Sequence, residues 1–136
     1  DVPLYNVEKT VGLIGLFSTG NKHIIDHIHV PDLPHCDGAV HVTGDNMYPL
    51  LKSGDIVLYK KVYDLINDIF WGEMYLISIE ANGEEYISVK YIQKSEMSDH
   101  IKLVSYNEHH QPKDIHQNKI RALALVKASI RINSML

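Results

Sequence analysis

The feature that most constrains the fold is a succession of short β-type segments, separated by turn signals, that begins near Ala39. The clearest pair is Glu73–Glu80 and Glu85–Gln93, both rich in β-branched and aromatic residues. Asn82–Gly83 lies between them, and both of its residues tolerate the positive φ that a tight hairpin turn requires. We therefore predict an antiparallel hairpin here.

Four further segments have a similar β-type composition and are bounded by turn signals. They are predicted to be strands: Ala39–Thr43, Asp55–Tyr59, Ile101–Tyr106 and Ile120–Ile132. The alanine-rich middle of the last segment leaves a helix open as an alternative, and only Met47–Lys52 and Val62–Asp68 are otherwise candidates for helical turns. Six or seven short strands predict a mainly β domain, built as a sandwich or a partly closed barrel.

Residues 1–38 differ in composition from the rest of the chain. They hold three of the five prolines and four of the eight glycines, and their apolar residues fall in short runs. This pattern predicts an arm or irregular strands rather than a helix. We expect an N-terminal arm over residues 1–38 and a single β domain over residues 39–136, since 136 residues fit one domain.

Charge and cysteine content restrict the function classes. Thirteen lysines and arginines against 17 aspartates and glutamates give a net charge of −4, which argues against a module whose main task is to neutralise phosphates. The single cysteine, Cys36, excludes an internal disulfide and favours a reducing compartment, so we expect a cytoplasmic protein. No apolar run approaches the roughly 20 residues of a membrane span, so we expect no membrane partner.

Nine histidines raise the question of a metal site. His27 and His29 would share one strand face, but zinc sites need convergent ligands at defined spacing. Neither a pair of cysteines nor a His-Glu-x-x-His motif occurs, so we predict no metal and no other cofactor. Cys36 is interpreted as a small buried hydrophobe, and Trp71 with the eight tyrosines as packing residues.

The most informative segment is Val42–Tyr59, with the sequence VTGDNMYPLLKSGDIVLY. Gly44 permits a sharp bend at a strand end, and Pro49 fixes the turn that follows. Such a loop can present the short polar side chain of Asn46 at a sheet edge, with main-chain amides grouped nearby as in an oxyanion hole. The plainer interpretation is a tight connection in which Asn46 only caps the turn.

This segment resembles the nucleophile motif of LexA-like repressors and signal-peptidase-like serine–lysine peptidases. The matching positions are Gly44–Pro49, followed by Gly54–Asp55 and an apolar strand. Every position of the motif agrees except the nucleophile, because the serine of the family falls on Asn46. The resemblance also implies a turn with oxyanion-binding amides at three residues: Asp45, Asn46 and Met47.

A lysine in a later strand is the second signature of the family, in which it acts as the general base. Tyr86–Ile92 matches this signature and assigns the base to Lys90. The apolar neighbours Ile87, Val89 and Tyr91 would desolvate the amine, and desolvation lowers the pKa of a lysine so that it can act as a base. The alternative is an ordinary exposed strand lysine.

Two weaker correspondences follow. Ser105–Asn107, together with Pro112 and Ile115, resembles a Leu–x–Ser–x–Asn segment of the family. Ala122–Val126 stands where the family often has Gly–Val–Val, and departs from it. The resemblance covers about residues 36–130 and implies the complex β fold of LexA and signal peptidases.

The resemblance also implies where a protein of this kind would cut itself. The family serine attacks a bond, typically Ala–Gly, that precedes the catalytic domain, and Val11–Gly12 lies 34 residues before Asn46. A carboxamide nitrogen is a poor nucleophile because its lone pair is delocalised, so Lys90 cannot activate Asn46 as it would a serine. We predict that the chain, as written, does not cleave itself by the serine–lysine route.

Taken as a whole, the resemblance implies the C-terminal dimerisation and regulatory domain of a bacterial or phage transcriptional repressor. We expect a homodimer, and a helix-turn-helix module for operator DNA that would precede Asp1, since nothing in the sequence matches that module. Two alternatives stay open. One is a self-cleaving serine–lysine peptidase whose nucleophile is replaced only in this version, and the other is a β-rich module that binds a ligand or partner.

Overall fold

Nine strands and one α-helix are present in the computed structural model, which describes residues 1–7, 12–19 and 23–132. The helix is α1 (Gly12–Thr19), and a 3-10 turn spans Gln117–Lys119. The strands are β1 (Val2–Tyr5), β2 (Ile24–Ile28), β3 (Gly38–His41), β4 (Ile56–Lys61), β5 (Met74–Ala81), β6 (Glu84–Lys94), β7 (His100–Val104), β8 (Lys113–His116) and β9 (Ile120–Ile130). The prediction of a mainly β fold is confirmed.

All nine strands belong to one sheet, in the order β2-β1-β3-β4-β9-β5-β6-β7-β8. Neighbouring strands are antiparallel except β1 and β3, which run parallel. The sheet does not close on itself, so β2 and β8 are its edges within the described residues. Because β1 and β2 continue the same sheet, part of the segment before residue 38 packs with the later strands. The domain boundary at residue 38 stays a prediction.

The predicted β5–β6 hairpin forms without a register shift. Asn82 and Gly83 take φ values of 54° and 77°, which are the left-handed conformations that a two-residue turn needs. Leu76 and Val89 pack in one apolar cluster, whereas Ile77 and Ile92 pack in another. Successive strand residues point to opposite faces, so β5 and β6 are covered on both sides, and this fixes the register of their polar residues.

Helix α1 contradicts the prediction that residues 1–38 contain no helix. Leu13 and Leu16 are fully buried and join the apolar cluster that includes Met47. Glu85 of β6 accepts hydrogen bonds from the first amides of the helix. Burial of the two leucines and the capping by the Glu85 carboxylate stabilise the helix enough to offset the low helix propensity of its glycines. In the described part of the chain, no helix is both long and apolar enough to cross a membrane.

The remaining predicted strands are present, with small changes in their bounds. The helical alternative for the last segment is wrong, since β9 is extended throughout. Strand β8 was not predicted, because Ile115 is the one buried residue among its four. The two predicted helical turns each contain one main-chain bond of helical spacing, Leu51 to Met47 at 2.8 Å and Asp68 to Asp64 at 3.2 Å.

Candidate active site

The loop that carries Asn46 follows β3, and main-chain bonds close it at its base. Val42 N donates to Asp55 O at 2.7 Å, and Gly54 N donates to Val42 O at 2.9 Å. Gly44 takes a φ of 81° with open space where a side chain would be, a conformation that glycine adopts readily. Asn46 is half-buried at the tip of this closed loop.

A buried carboxylate fixes the loop from the side of β9. Asp55 accepts hydrogen bonds from Arg131 Nη2 at 2.8 Å and from Lys52 N at 2.9 Å. Arg131 Nη2 also donates to Leu50 O at 3.3 Å. The hydrogen bond from Arg131 holds the pKa of Asp55 below its usual range. Sequence reasoning did not find Arg131, because this partner lies 76 residues away in the chain.

A second loop, which follows β7, packs against the Asn46 loop. Asn107 N donates to Asn46 O at 2.9 Å, and Asn107 Nδ2 donates to Asp45 O at 3.0 Å. His110 Nε2 lies 2.8 Å from Asp45 Oδ1. Sequence reasoning missed His110, since nothing in its local sequence marks a partner 65 residues away.

Three main-chain amides of the Asn46 loop make no hydrogen bond with the described part of the chain. Within the described residues, the amides of Asp45, Asn46 and Met47 donate no hydrogen bond, and the Asn46 carboxamide has no hydrogen-bond partner. Unpaired donors at the end of a strand are what an oxyanion hole requires. The geometry of this loop is therefore compatible with the implied oxyanion-binding role, although it holds no hydroxyl at position 46.

Lys90 lies on β6 and makes one side-chain hydrogen bond. Its Nζ donates to Ser105 Oγ at 2.7 Å, and Ser105 is buried. Burial lowers the pKa of Lys90 below its usual range. In the part of the chain that the structure describes, no carboxylate forms an ion pair with Lys90. A desolvated amine without a carboxylate partner is neutral more often than an exposed one, and so is a better base.

In the structure, both predicted catalytic positions contact one short segment, Ser105–Asn107. Ser105 contacts Lys90, and Asn107 contacts the main chain of Asn46. Ser105 appeared in the sequence only as part of a weak correspondence, and its contact with Lys90 depends on how β6 and β7 pair. Asn46, Lys90 and Ser105 thus define the candidate site.

Gly12, the second residue of the predicted scissile bond, does not lie at this site. Val11 lies outside the described residues, while Gly12 is the first residue of α1, whose first amides donate to Glu85 Oε2 at 3.1 and 3.3 Å. Glu85 precedes Lys90 by five residues on β6, which separates them by about 17 Å along the strand and places them on opposite faces. The structure therefore does not bring Gly12 to Lys90.

The other candidates from the sequence have ordinary surroundings. Among the described residues, no group of three or more His, Cys, Asp or Glu side chains comes together as a metal site. Cys36 is buried, and burial raises the pKa of its thiol. The interpretation of Trp71 and the eight tyrosines as packing residues holds only in part. Tyr5, Tyr59 and Tyr75 are buried, whereas five of these aromatic residues are exposed: Tyr48, Tyr63, Trp71, Tyr86 and Tyr106.

Comparison with known proteins identifies the family of the chain. A family model described as Peptidase S24-like matches residues 3–127. The match covers most of the chain, which therefore belongs to the Peptidase S24-like family, and the resemblance to LexA-like repressors is confirmed. No curated protein matches the chain.

Proposed function

We propose that the chain is the C-terminal regulatory and dimerisation domain of a transcriptional repressor, with a serine–lysine self-cleavage site that lacks its nucleophile. The observation that carries the proposal is that the desolvated Lys90 and the Asn46 loop both contact the segment Ser105–Asn107. Membership of the Peptidase S24-like family supports the type of domain.

The chemistry of the site follows from its groups. A neutral lysine takes a proton from a serine hydroxyl, and unpaired amides then stabilise the oxyanion that forms. Lys90 supplies such an amine, and the amides at Asp45 to Met47 supply donors. Asn46 supplies no hydroxyl, so this position cannot form an acyl intermediate with the chain.

The regulatory part of the proposal rests on dimerisation in the cytoplasm. A dimer would hold two operator-binding modules at a fixed spacing and so raise their joint affinity. The net charge of −4 assigns DNA contact to another part of the repressor. Sedimentation at micromolar concentration is expected to show a dimer. A monomer at every concentration tested would contradict this part.

Restoring the nucleophile tests the site itself. Asn46→Ser is expected to cleave at Val11–Gly12 at alkaline pH, where more Lys90 is neutral, and intact mass measurement would detect the fragments. The unaltered chain and Asn46→Ala, the matched control, are expected to stay whole. Cleavage of the unaltered chain that is lost in Lys90→Ala would contradict the proposal. Because Glu85 holds the start of α1, the placement of position 46 would be contradicted by an Asn46→Ser, Glu85→Gln double variant that also stays whole.

A second candidate is a self-cleaving peptidase in which only this version has lost its serine. The unpaired loop amides and the half-buried Lys90 favour it, since both elements of the machinery are kept. Rapid cleavage by Asn46→Ser, on the scale of minutes, would support this candidate. Slow cleavage over days would support a regulatory domain whose cleavage apparatus has drifted.

A further inference from the structure

We propose that Ser105 is an activated hydroxyl, with Lys90 as its base, that accepts an acyl or phosphonyl group from a small activated ester. The hydroxyl oxygen and the amine nitrogen lie 2.7 Å apart. This reactivity goes beyond the proposed function, because it uses neither position 46 as a nucleophile nor dimerisation or DNA.

The contact of Ser105 differs from those of other serines in the described residues. Ser18 donates to main-chain carbonyls of α1, Ser78 donates to the Glu85 carboxylate, and Ser95 donates to the Asp114 carboxylate. A main-chain carbonyl or an ordinary carboxylate is a weak base toward a hydroxyl. Ser105 is the one with a lysine amine within hydrogen-bond reach, which is the arrangement that a serine nucleophile needs.

The surroundings of the pair favour proton transfer. Ser105 is 9 % exposed and Lys90 is half-buried. Burial lowers the pKa of Lys90, and no carboxylate among the described residues holds its amine in the charged form. Because so little of Ser105 is exposed, we assign it a small ester rather than an extended polypeptide as the substrate class.

The loop next to Ser105 is held rigidly. Tyr106 N donates to Met47 Sδ at 3.4 Å, and Asn107 N donates to Asn46 O at 2.9 Å. These bonds fix the main chain on the C-terminal side of Ser105, and β7 fixes it on the other side. A nucleophile that is already oriented loses less entropy on reaction.

The step balances without a further reactant. Neutral Lys90 Nζ takes the proton of Ser105 while Oγ forms a bond to the carbonyl carbon of the ester. The bond from that carbon to the leaving oxygen breaks, and the leaving alkoxide takes the proton from the Lys90 ammonium. The products are acyl-Ser105, a free alcohol and neutral Lys90. With a fluorophosphonate, phosphorus replaces carbon, fluoride leaves, and the proton passes from Lys90 to solvent.

The test uses the full chain and a fluorophosphonate probe from neutral to alkaline pH, with peptide mass spectrometry to locate the label. We expect label on Ser105, at a rate that rises with pH to a midpoint below that of an ordinary lysine. Ser105→Ala is expected to lose the label. Lys90→Arg is expected to slow labelling by about a hundredfold, because a guanidinium stays protonated.

Two matched controls lie on the same strand. Ser88→Ala removes a half-buried serine two residues from Lys90, and Lys94→Arg alters an exposed lysine. Both are expected to leave the labelling rate within about twofold of the unaltered chain. Lys90→Arg, by comparison, is expected to lower that rate by about a hundredfold. If Ser105→Ala does not fold, Ser105→Thr keeps a hydroxyl and is expected to retain labelling that depends on Lys90. A folded chain without label on Ser105, or a labelling rate that Lys90→Arg does not change, would overturn the proposal.

Discussion

The two ends of β6 carry polar residues in opposite roles. Near the C-terminal end, the Lys90 amine is desolvated and contacts Ser105 beside the Asn46 loop. At the N-terminal end, the Glu85 carboxylate accepts hydrogen bonds from the first amides of α1 and from the Ser78 hydroxyl. One end carries the proposed base, and the other anchors a helix.

This comparison shows how the fold separates the proposed base from the segment that the family would cut. A rigid strand, covered by apolar clusters on both faces, holds Glu85 and Lys90 about 17 Å apart. Cleavage after Val11 therefore requires α1 to leave Glu85 before Gly12 can reach Lys90. The experiments below disturb one end or the other.

The largest effect on the cleavage rate is expected from substitution of Lys90. In the Asn46→Ser background, Lys90→Arg is expected to reduce the cleavage rate by about a thousandfold or more, since it removes the base from a pair that acts as a unit. Lys94→Arg, on the exposed part of the same strand, is expected to leave the rate unchanged. Time courses of intact mass would measure both. Equal rates in the two double variants would show that Lys90 is not the base.

A smaller effect is expected from the carboxylate that holds the Asn46 loop. Asp55→Asn removes the charge that Arg131 and Lys52 N contact, and is expected to lower the free energy of unfolding by about 2 kcal/mol at neutral pH. The folded pKa of Asp55 is lowered, so its contribution is present above about pH 4 and is lost as pH falls through the folded pKa. The difference between the two proteins should therefore shrink in acid.

Urea unfolding at neutral and acid pH would measure this difference. The matched control is Asp68→Asn, an exposed aspartate in the loop before β5, which is expected to change the unfolding midpoint little at either pH. A difference for Asp55→Asn that grows as pH falls would contradict the assignment of the ion pair to Arg131.

The smallest effect is expected from substitution of Glu85, which anchors α1. Glu85→Gln removes a negative charge from the start of α1 and is expected to weaken the anchor by about 1 kcal/mol. In the Asn46→Ser background this should raise the cleavage rate about fivefold, because α1 leaves β6 more often. Glu84→Gln, whose side chain contacts only the Tyr86 hydroxyl among the described residues, should leave the rate unchanged. A slower Glu85→Gln variant would contradict the anchoring role.

Local signals predicted the parts of the fold that local residues determine. Asn82–Gly83 marks its own turn, and the alternating residues of β5 and β6 mark their strands. Helix α1 escaped prediction because its cap, Glu85, lies 72 residues from Leu13 in the chain. Strand β8 escaped because three of its four residues face solvent or lie half-exposed, so no apolar alternation marks it.

In the candidate site, too, the residues marked by local sequence were predicted, and their distant partners were not. Asn46 and Lys90 were identified from motifs of contiguous residues, so the sequence was sufficient to propose them. The partners that give these residues their properties come from tertiary structure: Ser105 through the pairing of β6 with β7, and Arg131 through the end of β9. No spacing in the sequence indicates either contact.

The central claim is that position 46 and Lys90 belong to one site, and a titration of the Lys90 side chain by carbon NMR tests it most directly. Asn46→Asp places a carboxylate at position 46, and the account predicts that the pKa of Lys90 then rises by about one pH unit, as an opposite charge within roughly 4–6 Å would cause. Asn82→Asp, at the far hairpin turn, should leave that pKa unchanged. A pKa of Lys90 that is the same in Asn46→Asp as in the unaltered chain would contradict the account.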